Sequence, residues 1–280
     1  MTGIAIFGVT GRMGQTLLRV LRESGAAGSV QAAPGAAPAA LRLVGAFASP
    51  NSPRLGLDAA LEGPACGVAV ASDPRPGLSE ASVAVDFSMA HCVAANALAC
   101  MEAGVPVLVG ATGYDAAARA ALESAARVIP VLIAPNTSVG VAVMSNLVKR
   151  AAAALGDGYD VEISEAHHRM KRDAPSGTAL ALGEAVAGAR GARLADGAVF
   201  DRHDGRPRSA GEIGFAVVRA GDSVGEHTVT FAGAGERIEI THRATDRAAF
   251  ARGALRAAEW LARMPPGLYS MNDALDLEQA

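Results

Sequence analysis

Aromatic side chains are scarce in this chain. One tryptophan, three tyrosines and seven phenylalanines make up 4% of 280 residues, which leaves little from which to build a stacking platform for single-stranded nucleic acid. Cysteine is nearly absent. Cys66, Cys92 and Cys100 are odd in number, widely spaced and without a C-x-x-C pair, which argues against a disulfide framework or a structural zinc site and for a reducing compartment. Charge is sparse at 19%, and 25 basic against 28 acidic side chains give a formal net charge of -3. That balance gives no support to nucleic acid or an anionic membrane surface as the main partner. Turns and charges break every apolar run before it reaches the length of a membrane span. Residues 1–9, MTGIAIFGV, carry no basic segment ahead of the apolar run and read as a buried strand, not a signal peptide. The expected location is therefore cytoplasmic. What the chain does have is small apolar side chains, with 50% of its residues hydrophobic, the composition of a packed globular protein of one large or two ordinary domains.

Short apolar runs alternate with helical segments over the first half. Strands are expected at 2–7, 42–47, 67–71, 82–87, 105–109 and 129–133, with helices at 15–23, 55–62, 89–103 and 115–127. That alternation predicts a parallel sheet covered on both faces, a Rossmann-like α/β domain. Residues 25–40, GAAGSVQAAPGAAPAA, are low in complexity and broken by Pro34 and Pro38, and read as a mobile surface insertion. The character changes near residue 138. A longer helix at 139–155, an alternating strand at 159–165, a helix at 176–188 and strands at 212–219, 224–232 and 236–243 follow. The short Gly-rich turns between the last three favour antiparallel pairing. The reading is a dinucleotide-binding domain at 1–138 and an α+β domain with an open mixed sheet at 139–247. The last long helix is expected at 246–263, and residues 248–280 pack back on the first domain.

Gly8, Gly11 and Gly14 follow the first strand directly as G-x-x-G-x-x-G. A glycine turn lets the backbone approach a pyrophosphate, and the following helix offers free N–H groups and a positive end. Gly8, Val9, Thr10, Gly11, Arg12 and Met13 are the candidates for cofactor contact here. Two further strand ends, Gly110-Ala111-Thr112 and Ala134-Pro135-Asn136-Thr137, lie where doubly wound sheets bind ligands, and Asp86 at another is suited to holding loop amides. A ribose-binding carboxylate is expected about 20 residues beyond the glycines. No Asp or Glu occurs from 24 through 57, and the end of the second strand falls at Ala46, Phe47, Ala48 and Ser49. NADH and NADPH are therefore both expected to serve; Arg54 is either a contact for a 2′-phosphate or an exposed loop arginine.

The densest polar cluster is EAHHRMKRDAPSGT at 165–178, after an alternating strand and before a helix. Adjacent His167 and His168 cannot share one side of a regular strand, so one can face chemistry and the other substrate. Lys171 suits a carboxylate or a proton transfer. Ser176 is placed to cap a helix opened by Gly177 and Thr178, an anion site of free amides and a hydroxyl. Arg169 and Arg172 are placed to pair with Glu165 and Asp173. The spacing is not H-E-x-x-H, and Lys171 would repel a cation, so no metal is expected. G-x-S-x-G is also missing.

At this point the sequence resembles the 4-hydroxy-tetrahydrodipicolinate (dihydrodipicolinate) reductase family. The motifs are GVTGRMG at 8–14, DFS at 86–88, GATGY at 110–114, PNTSVGV at 135–141, EAHHRMKRDAPSGTA at 165–179, GFAVVRAGDSVGEHTVTF at 214–231 and GERIEITHRA at 235–244. The resemblance implies NAD(P)H-dependent reduction of a cyclic dicarboxylate in the diaminopimelate branch of lysine biosynthesis, and a homotetramer formed through the second domain. It implies His167 and Lys171 in catalysis, His168, Gly177 and Thr178 on the substrate, and the three glycine-turn and strand-end segments on the cofactor. The proton step stays open between His167 and Lys171. Three departures stand out: Ala48-Ser49 replaces a usual Glu-Arg pair, GATG replaces GTTG, and Met170 stands where some relatives have histidine.

Two other classes fit less well. A semialdehyde dehydrogenase needs a placed cysteine, and Cys66, Cys92 and Cys100 have no catalytic setting; homoserine dehydrogenase belongs to the same rival group. A non-catalytic NAD(H) sensor would not need the His-His-x-x-Lys cluster.

Overall fold

A computed structural model describes residues 2–27, 41–203 and 205–277. The chain divides into two compact units, Met1–Val139 with Ala248–Ala280, and Gly140–Arg247. Most of the expected 25–40 insertion lies outside the described residues; helix α1 runs further than expected, to Ala27.

In the first unit β1 (Thr2–Phe7) leads into α1 (Arg12–Ala27), then β2 (Leu41–Phe47), α2 (Arg75–Leu78), β3 (Val83–Asp86), α3 (Val93–Ala103), β4 (Val107–Val109), α4 (Ala116–Ala125) and β5 (Pro130–Ile133). The strands are short, apolar and buried on both faces, as a parallel sheet between helices requires. Ala5, Phe7, Ala84, Val107, Val109 and Val131 pack with Val93, Ala97 and Cys100 of α3 and Ala118 and Leu122 of α4. Their neighbours Ile4, Ile6, Val83, Val85, Leu108 and Leu132 point to the opposite face by strand alternation and are fully buried. Local chemistry sets the helix ends. The Asp115 side chain caps α4 by accepting from Ala118 N, and Gly104 ends α3 at a positive φ of 68°.

In the second unit α5 (Val139–Leu155) precedes β6 (Asp160–His167), α6 (Gly177–Ala189), α7 (Leu194–Gly197), β7 (Ala198–Val199), β8 (Ile213–Arg219), β9 (Gly225–Gly233) and β10 (Glu236–Ala244). The chain then returns to the first unit with α8 (Ala248–Leu261), β11 (Gly267–Tyr269) and α9 (Met271–Leu275). Sheet order is β11-β5-β4-β3-β1-β2 in the first unit and β10-β9-β6-β8-β7 in the second. The order reverses between β1 and β3, the switch point of a doubly wound sheet. Helix α8 packs on β3, β4 and β5 beside α1. The second sheet is covered on one face by Met144, Val148 and Ala152 of α5 and Ala179, Leu182 and Val186 of α6. Its other face exposes Ser164, Ala216 and Val218.

Four expectations need correction. Segment 55–62 is not helical: Asp58 draws in the amides of Ala60, Cys66 and Gly67, and Gly56 N and Val70 N bond to Val70 O and Leu57 O, which folds 56–70 into a loop. Segment 67–71 makes only the isolated bridges Asp58↔Ala69 and Phe47↔Ala71. Strands β8 and β9 do not pair. Strand β6 lies between them, parallel to β8 and antiparallel to β9. The 220–224 turn crosses the end of β6, with His168 N bonded to Ser223 O and Ala220 N to His167 O. Finally, residues 139–158 are long and apolar enough, by length and composition alone, to cross a membrane. Here that helix supplies core residues to the second unit.

Candidate active site

Strand alternation puts Val161, Ile163, Glu165 and His167 on one face of β6, and that face is buried. The last two therefore sit as neighbours at the strand's carboxyl end. His167 Nδ1 is 2.6 Å from Glu165 Oε2. Arg219, in register with His167 on β8, grips the same carboxylate with two hydrogen bonds of 2.7 Å. The Ser176 amide donates to Glu165 Oε1 at 3.0 Å. Burial alone would raise the Glu165 carboxyl, but Arg219, His167 and the Ser176 amide outweigh it and hold it below the usual carboxylate range. Burial lowers His167 below the ordinary imidazole value, against the opposing pull of Glu165.

The chain turns out of register after His167. His168 is half-buried, and its carbonyl accepts from Lys171 N at 3.1 Å. Lys171 Nζ lies 2.9 Å from Asp173 Oδ2. Ser176 caps α6, its hydroxyl accepting from Ala179 N, so Gly177 and Thr178 are the first two helical residues. Both lie in the first turn of α6, at the positive end of the helix dipole. Thus His167, His168, Lys171, Gly177 and Thr178 all fall within one strand end, one turn and one helix start. The expected partners of Glu165 and Asp173 are corrected: Arg219 and Lys171 take those places, not Arg169 and Arg172. Arg219 went unread because it is 54 residues from Glu165, and only the parallel register of β6 and β8 makes them neighbours. His227 was also missed. It is opposite Glu165 on β9, buried, with Nε2 3.0 Å from Ser176 Oγ. Its place in the alternation His227, Val229, Phe231 was the available signal.

In the first unit the strand ends are linked edge to edge. Gly8 N and Val9 N donate to Phe47 O, Phe87 N to Phe7 O, Gly110 N and Ala111 N to Asp86 O, and Ala134 N to Val109 O. These contacts bring Gly8 to Met13, Gly110 to Thr112 and Ala134 to Thr137 to one edge of the sheet. Gly8 has a positive φ of 76°. A methyl group on Gly14 would lie 2.4 Å from Gly8 O and 2.5 Å from Val9 O, so only glycine lets α1 start this close to β1. Thr10 and Met13 are partly exposed, Gly11 and Arg12 exposed, and the Val9 side chain is in the core. The glycine turn, the N-terminal end of α1 and Arg12 fit a dinucleotide pyrophosphate. Thr137 is buried, its hydroxyl donates to Phe250 O at 2.8 Å, and its carbonyl lies close against Gly253. Asp86 is fully buried, raised by that burial, and accepts from Ser88 N and Asn96 Nδ2. Arg54 donates to Asp58 O. Among the described residues no group of three His, Cys, Asp or Glu side chains is arranged to hold a metal ion.

Comparison with known proteins gives two family matches that together span nearly the whole chain. Residues 2–137 match the model described as dihydrodipicolinate reductase, N-terminus, and residues 140–275 that described as dihydrodipicolinate reductase, C-terminus. A 4-hydroxy-tetrahydrodipicolinate reductase of Anaeromyxobacter dehalogenans (strain 2CP-1) is 47% identical over 99% of this chain and 98% of its own length. One of Thiobacillus denitrificans is 48% identical over 98% of both. Among solved structures, a dipicolinate-bound dihydrodipicolinate reductase from Paenisporosarcina sp. TG-14 shares the fold, with a TM-score of 0.72 at 21% identity over 96% of this chain and 97% of that one.

Proposed function

The chain belongs to the dihydrodipicolinate reductase family, and from that membership we propose how its residues divide the work. It is an NAD(P)H-dependent enzyme that reduces 4-hydroxy-tetrahydrodipicolinate, through the dehydrated imine, to tetrahydrodipicolinate in lysine and diaminopimelate biosynthesis. When bound, the reduced nicotinamide cofactor supplies the hydride. The amides and hydroxyl at the start of α6 hold one substrate carboxylate, with Gly177 and Thr178 as the contacts and Lys171 as the neighbouring positive charge. His168 orients the same diacid from the turn. Lys171 also places charge near the developing enamine, which lowers the barrier. His167 exchanges the proton that completes the reduction, through the ring nitrogen that Glu165 does not occupy.

The observation that carries this reading is the pairing of His167 with a carboxylate at the end of β6, in the same unit as the capped start of α6. Gly8 to Met13, Gly110 to Thr112 and Ala134 to Thr137 hold the cofactor, and both NADH and NADPH serve, because β2 is followed by Ala48-Ser49, with no carboxylate to refuse a 2′-phosphate. Four copies assemble through the exposed face of the second sheet, where Thr228 and Thr241 hydroxyls meet at 2.9 Å and Arg243 pairs with Glu226. Light scattering on the purified protein tests that assembly. An assay coupled to the upstream synthase, following NADH and NADPH oxidation separately, tests the rest. Lys171→Ala should cut turnover about 100-fold or more, as loss of a positioned charge does, while cofactor affinity stays unchanged. An equal loss of cofactor binding would remove Lys171 from its assigned role.

A further inference from the structure

Glu165 makes four polar contacts through its two carboxylate oxygens. Its side chain is fully buried, and a buried carboxylate costs several kcal/mol unless its oxygens are satisfied. Here both are. Oε2 accepts from Arg219 Nη1 at 2.7 Å and faces His167 Nδ1 at 2.6 Å, while Oε1 accepts from Arg219 Nη2 at 2.7 Å and from the Ser176 amide at 3.0 Å. Arg219 is itself fixed by two backbone carbonyls, Val218 O at 2.8 Å and Asp173 O at 2.7 Å. One carboxylate thus ties together the end of β6, the start of α6 and the 171–176 turn.

We propose that Glu165, backed by Arg219, is the positioning residue of the proton transfer: it locks His167 in the tautomer with hydrogen on Nδ1 and presents Nε2 to the substrate, while holding the Ser176 amide that sets the anion-binding end of α6. The inference rests on the reading above, in which His167 exchanges the proton. An ionised carboxylate only accepts hydrogen bonds, so the Nδ1 facing it must donate. In neutral His167 the lone pair then falls on Nε2. Glycine at position 225 leaves room at Nε2, since a methyl group there would lie 3.0 Å from it. The charged and titratable groups around the ring are Glu165 on β6, Lys171 and Asp173 in the turn, Arg219 on β8 and His227 on β9. Glu165 is the one among them in contact with Nδ1 and the one that pulls His167 toward protonation against burial, Lys171 and Arg219.

Nitrogen-15 NMR of histidine-labelled protein reads the tautomer directly, with the His167 signals assigned by their loss in His167→Gln. The expected result in the unmodified enzyme is a protonated Nδ1 and an unprotonated Nε2 at pH values above the titration of the ring. Glu165→Gln offers an amide that no longer demands a donor, so the Nε2–H form should rise to at least half of the population. Its kcat should fall about 100-fold or more, in the range seen when a histidine loses its orienting carboxylate. The pH at which kcat falls off should move to lower values, and affinity for NADH should stay within twofold. Arg219→Lys, which keeps the charge but loses the fork, should move the pH profile the same way by a smaller step. An Nε2–H tautomer in the unmodified enzyme would overturn the proposal, whether or not Glu165→Gln folds. So would a Glu165→Gln enzyme with an unchanged tautomer and pH profile. Full activity in His167→Gln would instead remove the proton role of His167 and leave the tautomer result standing.

Discussion

Ser176 and His227 meet through a 3.0 Å contact between Oγ and Nε2, both side chains being buried. The serine oxygen already accepts from Ala179 N as the cap of α6. His227 Nδ1 is buried with no hydrogen-bond partner. An orphaned acceptor lone pair costs less than an orphaned N–H, so the arrangement favours neutral His227 with hydrogen on Nε2, donating to the serine. Ser176 Oγ then accepts from both His227 Nε2 and Ala179 N.

Burial drives His227 down to about 4, and this makes stability depend on pH. A histidine whose folded value lies below its unfolded value of about 6.5 binds protons more readily when unfolded. Its contribution is complete above about pH 6.5 and is lost as pH falls toward 4. The loss should amount to roughly 3 kcal/mol across that window. Urea unfolding at a series of pH values should show the decline, and His227→Gln should flatten it. A stability curve of the same slope in that variant would place the titrating group elsewhere.

Gly225 faces Nε2 of His167. A methyl group there would approach Nε2 to 3.0 Å and Cδ2 to 3.4 Å, and the ring, pinned by Glu165, has little room to yield. Gly225→Ala should lower kcat about tenfold by misplacing the imidazole, with cofactor affinity and unfolding midpoint nearly unchanged. Steady-state kinetics beside an NADH titration separates the two effects.

Gly14→Ala should act on the other unit. Its methyl would press on the carbonyls of Gly8 and Val9, which are backbone and cannot rotate away. Overpacking of this kind costs about 1–3 kcal/mol, and the displaced turn should weaken NADH binding about tenfold or more, since 1.4 kcal/mol is a factor of ten. Fluorescence titration of NADH, with urea unfolding as control, measures both. Unchanged NADH affinity in a destabilised protein would mean that the glycine turn serves packing alone.

The sequence made some of this legible and hid the rest for identifiable reasons. Strands such as Thr2–Phe7 and Val83–Asp86 showed because a strand buried on both faces is a pure apolar run between turn residues. The start of α6 showed because Ser176 carries its own capping chemistry. Strand β11 did not: Gly267–Tyr269 is too short to have a pattern, and it exists because β5 offers it an edge. The pairing of β8 with β6 was hidden for a related reason. Glycine turns announce a reversal of direction but not which strand lies between. The Glu165–Arg219 pair follows from that register, so sequence proximity pointed to Arg169 and Arg172 instead.

The end of β2 yields the sharpest test of cofactor choice. Gly8 N and Val9 N both donate to Phe47 O, so the glycine turn is fastened to the last residue of β2, and Ala48 comes next. Ala48 is partly exposed, with its amide bonded to Ala71 O, so a longer side chain there has a fixed root. A carboxylate at this place in a doubly wound sheet accepts the ribose hydroxyls of NADH and repels the 2′-phosphate of NADPH. Ala48→Glu should therefore shift the ratio of kcat/KM for NADH over NADPH upward by about tenfold or more, since 1.4 kcal/mol of differential interaction is a factor of ten. The gain should shrink as salt rises, because the phosphate repulsion is screened. A ratio that does not move, in a variant that still binds both cofactors, would show that the adenosine ribose lies away from β2.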